Sequence, residues 1–150
     1  MKSLKSFLLI LLSIIAFSSC STDKTMIAKG VDLNKFEYAS IVKGQTLHGT
    51  ETSIEIEPGI YDAIESTRLQ MVGERRISDL TAQQKERLVL VKYAATSNPN
   101  KSELSVSFED YMTGKTVASC RASNKSAWTR QRDVDRAIRK LRDRIHRIWR

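Results

Sequence analysis

The chain has 150 residues, a formal charge of +8 and only two cysteines, Cys20 and Cys120. That length suits one domain with one core, and two cysteines cannot make a disulfide framework. Six glycines form no phosphate-cradling loop or dinucleotide fingerprint, and the two histidines, His48 and His146, lack the close spacing of metal ligands.

The chain opens on Met1-Lys2-Ser3-Leu4-Lys5-Ser6, with two lysines and no acid. An apolar run follows from Phe7 to Phe17, broken only by Ser13, and leads to Ser18-Ser19-Cys20. A basic start, a short apolar stretch and a small-residue exit make the pattern of a secretory signal. A membrane-spanning helix needs about 20 apolar residues, so this run is too short to be one. The segment Phe17-Ser18-Ser19-Cys20 resembles a lipobox, with phenylalanine where leucine is usual. That resemblance implies a diacylglyceryl thioether on Cys20, cleavage before it, and a further acyl chain on the new amino terminus. Several chains hold a protein far more firmly than one, because each buried methylene is worth roughly 0.8 kcal/mol. Ser21 stands where an aspartate would favour the inner membrane, so the expected address is the outer membrane of the cell envelope. Residues 1–19 then read as signal, 20–34 as a polar tether and 35–150 as a single domain.

The domain is expected to open with a strand at Phe36–Val42, where aromatic and branched residues cluster. Gly44 and Gly49 bracket a loop containing His48. Thr52–Glu57 alternates polar and apolar residues and reads as an edge strand. Pro58 suits the first position of a helix, and Ile60, Ile64, Thr67 and Met71 continue at helical spacing to Gly73 as terminator. Thr81-Ala82-Gln83-Gln84 matches a capping box over one helical turn. Leu88–Ala94 reads as a central strand, apolar on both faces. After the turn Asn98-Pro99-Asn100, Leu104, Val106 and Phe108 alternate with Ser105, Ser107 and Glu109, as in a strand with one wet face. Asp110–Lys115 closes a hairpin, Gly114 supplying the positive backbone angle, and Val117–Ala122 returns. Cys120, in that return strand, reads as a small apolar filler.

The last segment is the clearest helix: Val134, Ile138, Leu141, Ile145 and Ile148 make one stripe, which Trp149 completes. It also holds the charge. From Thr129 onward there are nine basic residues against Asp133, Asp135 and Asp143, and the rest of the chain after the signal is balanced. Arg136, Arg139, Lys140 and Arg147 offer a face to anionic matter such as lipid headgroups, cell-wall polymers or an acidic protein. The bland alternative is a solvated face whose arginine stems cover apolar surface. The expected fold is α+β, with a mixed, mostly antiparallel sheet of four to five strands and two helices on one face.

The hairpin Ser105–Ser119, with its Asp-x-x-Thr-Gly turn, and the opening Asp32–Ala39 resemble small envelope lipoproteins related in fold to CsgG, LpoB and the TolB amino-terminal domain. The resemblance covers residues 32–148 in order of elements. It implies an accessory or assembly role through an envelope protein partner and carries over no catalytic residue. No Gly-x-Ser-x-Gly elbow occurs. The sequence therefore points to a lipid-tethered, non-enzymatic interaction module, or else to an anionic-surface binder. It offers no cofactor, metal, nucleic-acid or small-molecule site.

Overall fold

The computed structural model describes residues 23–42, 53–98, 101–124 and 130–150. In chain order the elements are β1 (Lys24–Ile27), a 3-10 turn (Leu33–Lys35), β2 (Tyr38–Ile41), α1 (Ser53–Glu65), β3 (Gln70–Met71), a 3-10 helix (Glu74–Asp79), α2 (Ala82–Glu86), β4 (Leu88–Asn98), β5 (Lys101–Asp110), β6 (Thr116–Asn124) and α3 (Arg130–Ile148). The strands form one sheet in the order β1-β6-β5-β4-β2-β3. The ladders from β1 through β6 and β5 to β4 are antiparallel, whereas β2 runs parallel to both β4 and β3.

The fold is α+β, but the sheet has six strands rather than four to five. Both extra strands lie at edges and carry little apolar pattern. All four residues of β1 are exposed, so it lacks the alternation that marks a half-buried strand. It falls within the stretch read as a tether, so the sheet begins at Lys24. β3 has only two residues; beside it, the amides of Gln70 and Val72 donate to the carbonyls of Glu37 and Ala39, both at 2.8 Å.

Strand alternation puts Val89, Val91 and Tyr93 of β4, Leu104, Val106 and Phe108 of β5, and Ala118, Cys120 and Ala122 of β6 into one core. The helices close it with Ile56, Ile60, Ala63 and Ile64 of α1 and Val134, Ala137, Leu141 and Ile145 of α3. The expectation that β4 is apolar on both faces is corrected here. Beyond Leu88, buried Val89, Val91 and Tyr93 alternate with half-buried Leu90, exposed Lys92 and half-buried Ala94.

The largest correction concerns residues 52–57, expected as an edge strand. Ser53–Glu65 is helical, and Pro58 lies inside that helix instead of opening it. Buried Ile56, Ile60, Ala63 and Ile64 share one helical stripe, which outweighs the local alternation. Gly59 has a packing reason to stand there. A Cβ at Gly59 would sit 2.9 Å from Cγ2 of Ile138, so the glycine lets α1 and α3 approach closely. After Glu65 the hydroxyls of Ser66 and Thr67 donate to the carbonyls of Ala63 and Ile64, at 2.8 and 2.6 Å. Thr67 and Met71 therefore leave the helical stripe, Met71 joins β3, and Gly73 caps the following 3-10 helix instead of ending α1. The capping box of α2 is present, with Thr81 and Gln84 bonding reciprocally.

In α3 the stripe turns inward. Trp149, just past its last turn, is fully buried, with Phe36 and Phe108 edge-on at ring separations of 6.1 and 5.1 Å. Arg68 fastens this corner. Its guanidinium lies 5.7 Å from the Trp149 ring and donates to the carbonyls of Phe36 and Leu33, both at 2.6 Å.

Candidate interaction surfaces

Asp23, immediately before β1, is held against residues a hundred positions later. Its carboxylate accepts from the Ser123 amide at 2.8 Å and pairs with Arg144 at 3.3 Å and Lys140 at 3.7 Å. Lys140 Nζ also donates to the Ser123 carbonyl at 2.9 Å. Burial pushes the Asp23 carboxyl up, but the Ser123 amide, the charges of Lys140 and Arg144 and the Ser123 hydroxyl outweigh it. The group stays below the ordinary carboxylate range.

Of the four residues proposed as an anionic-partner face, the structure separates one. Lys140 is engaged with Asp23 and Ser123, whereas Arg136 and Arg139 are exposed and make no ion pair with a described residue. Exposed Arg147 donates its Nε to the Asp143 carbonyl at 3.3 Å. Arg136, Lys140, Arg144 and Arg147 follow at spacings of four, four and three, so they form one ridge along α3. Asp23 docks at its middle.

The second surface is the side of the sheet away from α1 and α3. Lys92 and Ala94 of β4, Ser105 and Ser107 of β5, Ser119 and Arg121 of β6 and Lys24 and Met26 of β1 line a groove of about 460 Å³. Its charges are largely matched within the sheet, by Lys92 with Glu109 at 2.5 Å and Arg121 with Glu103 at 3.2 Å. On the adjoining edge Met26 and Ile27 are 65% and 52% exposed.

The Asp-x-x-Thr-Gly hairpin has a structural role. Asp110 is buried and accepts from Lys35 Nζ at 2.7 Å and from the amides of Met112 and Thr113 at 2.9 and 3.1 Å. Gly114 takes φ +66° and donates its amide to the Asp110 carbonyl at 2.8 Å. Burial raises the Asp110 carboxyl, but the Lys35 hydrogen bond, the turn amides and the Lys35 charge hold it below the usual range.

Cys120 is buried in the core, and burial pushes its thiol up to about 12 against the opposing charge of Arg144. That suits a filler and not a nucleophile. Tyr93, also pushed up to about 12 by burial and by its bond to Glu57, donates its hydroxyl to Glu57 at 2.9 Å and ties β4 to α1. His146 is exposed on α3. Among the described residues no group of three His, Cys, Asp or Glu is placed to hold a metal ion. Nor is any described helix long and apolar enough to cross a membrane. Cys20 and His48, with the proposed lipobox, lie outside the described residues.

The clamp on Asp23 was missed in the sequence. A lone acid in a polar stretch carries no local signal, since its partners are supplied only by β6 and α3.

No protein-family model matches the chain, and no curated protein matches it. Among solved structures it is similar to PelC from Paraburkholderia phytofirmans, a dodecamer seen in two crystal forms. The TM-score is 0.56 for both, identity 9% and 7%, and coverage 83% and 84% of this chain and 99% and 97% of that one. A PDZ domain protein from Parabacteroides distasonis matches at TM-score 0.51 and 14% identity, over 85% of this chain and 35% of that one. The LpoB carboxy-terminal domain from Salmonella enterica is weakly similar, at TM-score 0.37 and 13% identity over 66% and 88% of the two chains. At such identities the likeness is one of fold alone.

Proposed function

We propose that the chain is an envelope lipoprotein, tethered by lipid on Cys20, that works as a non-enzymatic interaction or assembly module. The observation that carries this reading is the run of basic start, apolar stretch and Phe17-Ser18-Ser19-Cys20. The surfaces suit it. The open groove of the sheet, with exposed Met26 in its wall, offers a protein partner both apolar and hydrogen-bonding contacts. A second reading, binding to an anionic surface, is favoured by the exposed Arg136 and Arg139, which make no ion pair with a described residue. The periplasmic side of the outer membrane, or the cell surface, is the proposed address.

The test is the intact mass of the full chain extracted by detergent from its native membrane. A species of residues 20–150 plus acyl chains is expected; an unprocessed or unlipidated chain overturns the proposal. In-cell crosslinking with mass spectrometry should then recover a reproducible envelope protein. Introducing Lys at Ser107, in the floor of the groove, should weaken that capture without unfolding the domain.

A further inference from the structure

Resting on lipidation at Cys20, we infer that the β1–α3 side of the domain lies on the bilayer, with the α3 arginines against the headgroup phosphates of anionic phospholipids. The length of chain before the structured region decides this. Only Ser21 and Thr22 stand between Cys20 and Asp23. Three residue steps of fully extended chain span at most about 11 Å. Asp23 does not swing freely at the end of that leash. The Ser123 amide, Arg144 and Lys140 hold it, and the next residue, Lys24, is already in the β1–β6 ladder opposite Arg121. A lipid on Cys20 thus enters a rigid body at one spot, and a 15-residue tether is absent.

That spot is the middle of the cationic ridge. Arg136 lies four residues before Lys140 and Arg147 three after Arg144, roughly 5–6 Å of helix axis to either side of the clamp. Exposed Lys24 and Lys29 add positive charge along the chain leaving the anchor. The acids facing the same way are few. Asp23 is consumed by the clamp, and exposed Asp135 and Asp143 are outnumbered by Arg136, Arg139, Lys140, Arg142, Arg144 and Arg147 on the same helix. A leash of this length is close to the Debye length of about 8 Å at physiological salt. The ridge therefore stays within reach of headgroup charge whenever the anchor is inserted. One lipid anchor plus one basic patch is the two-signal arrangement that fixes both residence and orientation. The opposite edge of the sheet, with α2 beside β2, is then turned away from the membrane, and the groove stands to the side.

The experiment uses the full lipidated chain in vesicles of mixed zwitterionic and anionic phospholipid carrying a paramagnetic headgroup quencher. Fluorophores are placed singly at Arg136→Cys and, as a control on the far edge, at Gln83→Cys; buried Cys120 does not react. From β6, on which α3 packs, to β2 the sheet is three ladder spacings wide, about 14 Å. The Arg136 label should be quenched severalfold more than the Gln83 label. The contrast should fall towards one in purely zwitterionic vesicles, in about 1 M salt where screening acts over about 3 Å, and in an R139Q/R147Q background. Equal quenching of the two labels on a chain whose mass shows it to be acylated overturns this orientation while leaving the lipoprotein reading intact. A chain without acyl groups removes both.

Discussion

Asp23 and Asp110 solve the same problem at two ends of the sheet, and they differ in where their partners come from. Each is a sequestered carboxylate that accepts at least one backbone N–H and pairs with a lysine, and each is held below the ordinary carboxylate range. Asp110 takes both its amides from the next three residues, so it organises a turn that the local sequence already favours. Asp23 takes its amide from Ser123 and its cations from α3, so it organises nothing until the chain has folded around it. The same chemistry makes one a folding device and the other a fastening.

The contrast can be broken at its strongest point first. Asp110→Ala strands two turn amides at a nearly inaccessible site, while half-exposed Lys35 returns to solvent, and should cost about 2–3 kcal/mol of unfolding free energy. Urea denaturation reads this; a loss under 1 kcal/mol would mean that water replaces the carboxylate. Asp23→Ala should cost less, about 1–2 kcal/mol, because it strands one backbone amide instead of two. Its signature is regional: hydrogen exchange should quicken in β1 and not in the Asp110 hairpin. Gly114→Ala should cost about 1 kcal/mol through strain at φ +66°, with open space around the added methyl. The smallest effect separates the two sites by pH. Both carboxyls bind protons less readily when folded, so their stabilisation is complete above about pH 4 and is lost as pH falls through their depressed folded values. Stability should drop on acidification below pH 4 in the parent chain, and the D23N/D110N double variant should flatten that slope. An unchanged slope would assign acid sensitivity to other groups.

That difference also explains what could be read from the sequence. The hairpin, α3 and the capping box of α2 were legible because each is written in residues three or four apart. β1 was not, since all four of its side chains are exposed and its place depends on pairing with β6. In α1 two local signals misled together. Thr52–Glu57 alternates like a strand, and Pro58 suits the first position of a helix. The buried stripe of Ile56, Ile60, Ala63 and Ile64 outweighed both, and Gly59 lets α3 come close. Of the candidate arginine face, the exposure of Arg136 and Arg139 agreed with the stripe read on α3. Lys140 changed role because its partner, Asp23, lay in a segment that offered no pattern.

The fastening at Asp23 has a mechanical meaning. In an antiparallel pair the hydrogen bonds lie across the strands, so a pull that peels one end away from its partner opens them singly, like a zip. β1 has only four residues, and its end at Lys24 is where tension from the preceding chain arrives. Asp23 stands just outside that first rung, bolted to β6 by an amide and to α3 by two cations. Load reaching the domain from its amino-terminal side is therefore shared with a nineteen-residue helix before it can part the strand.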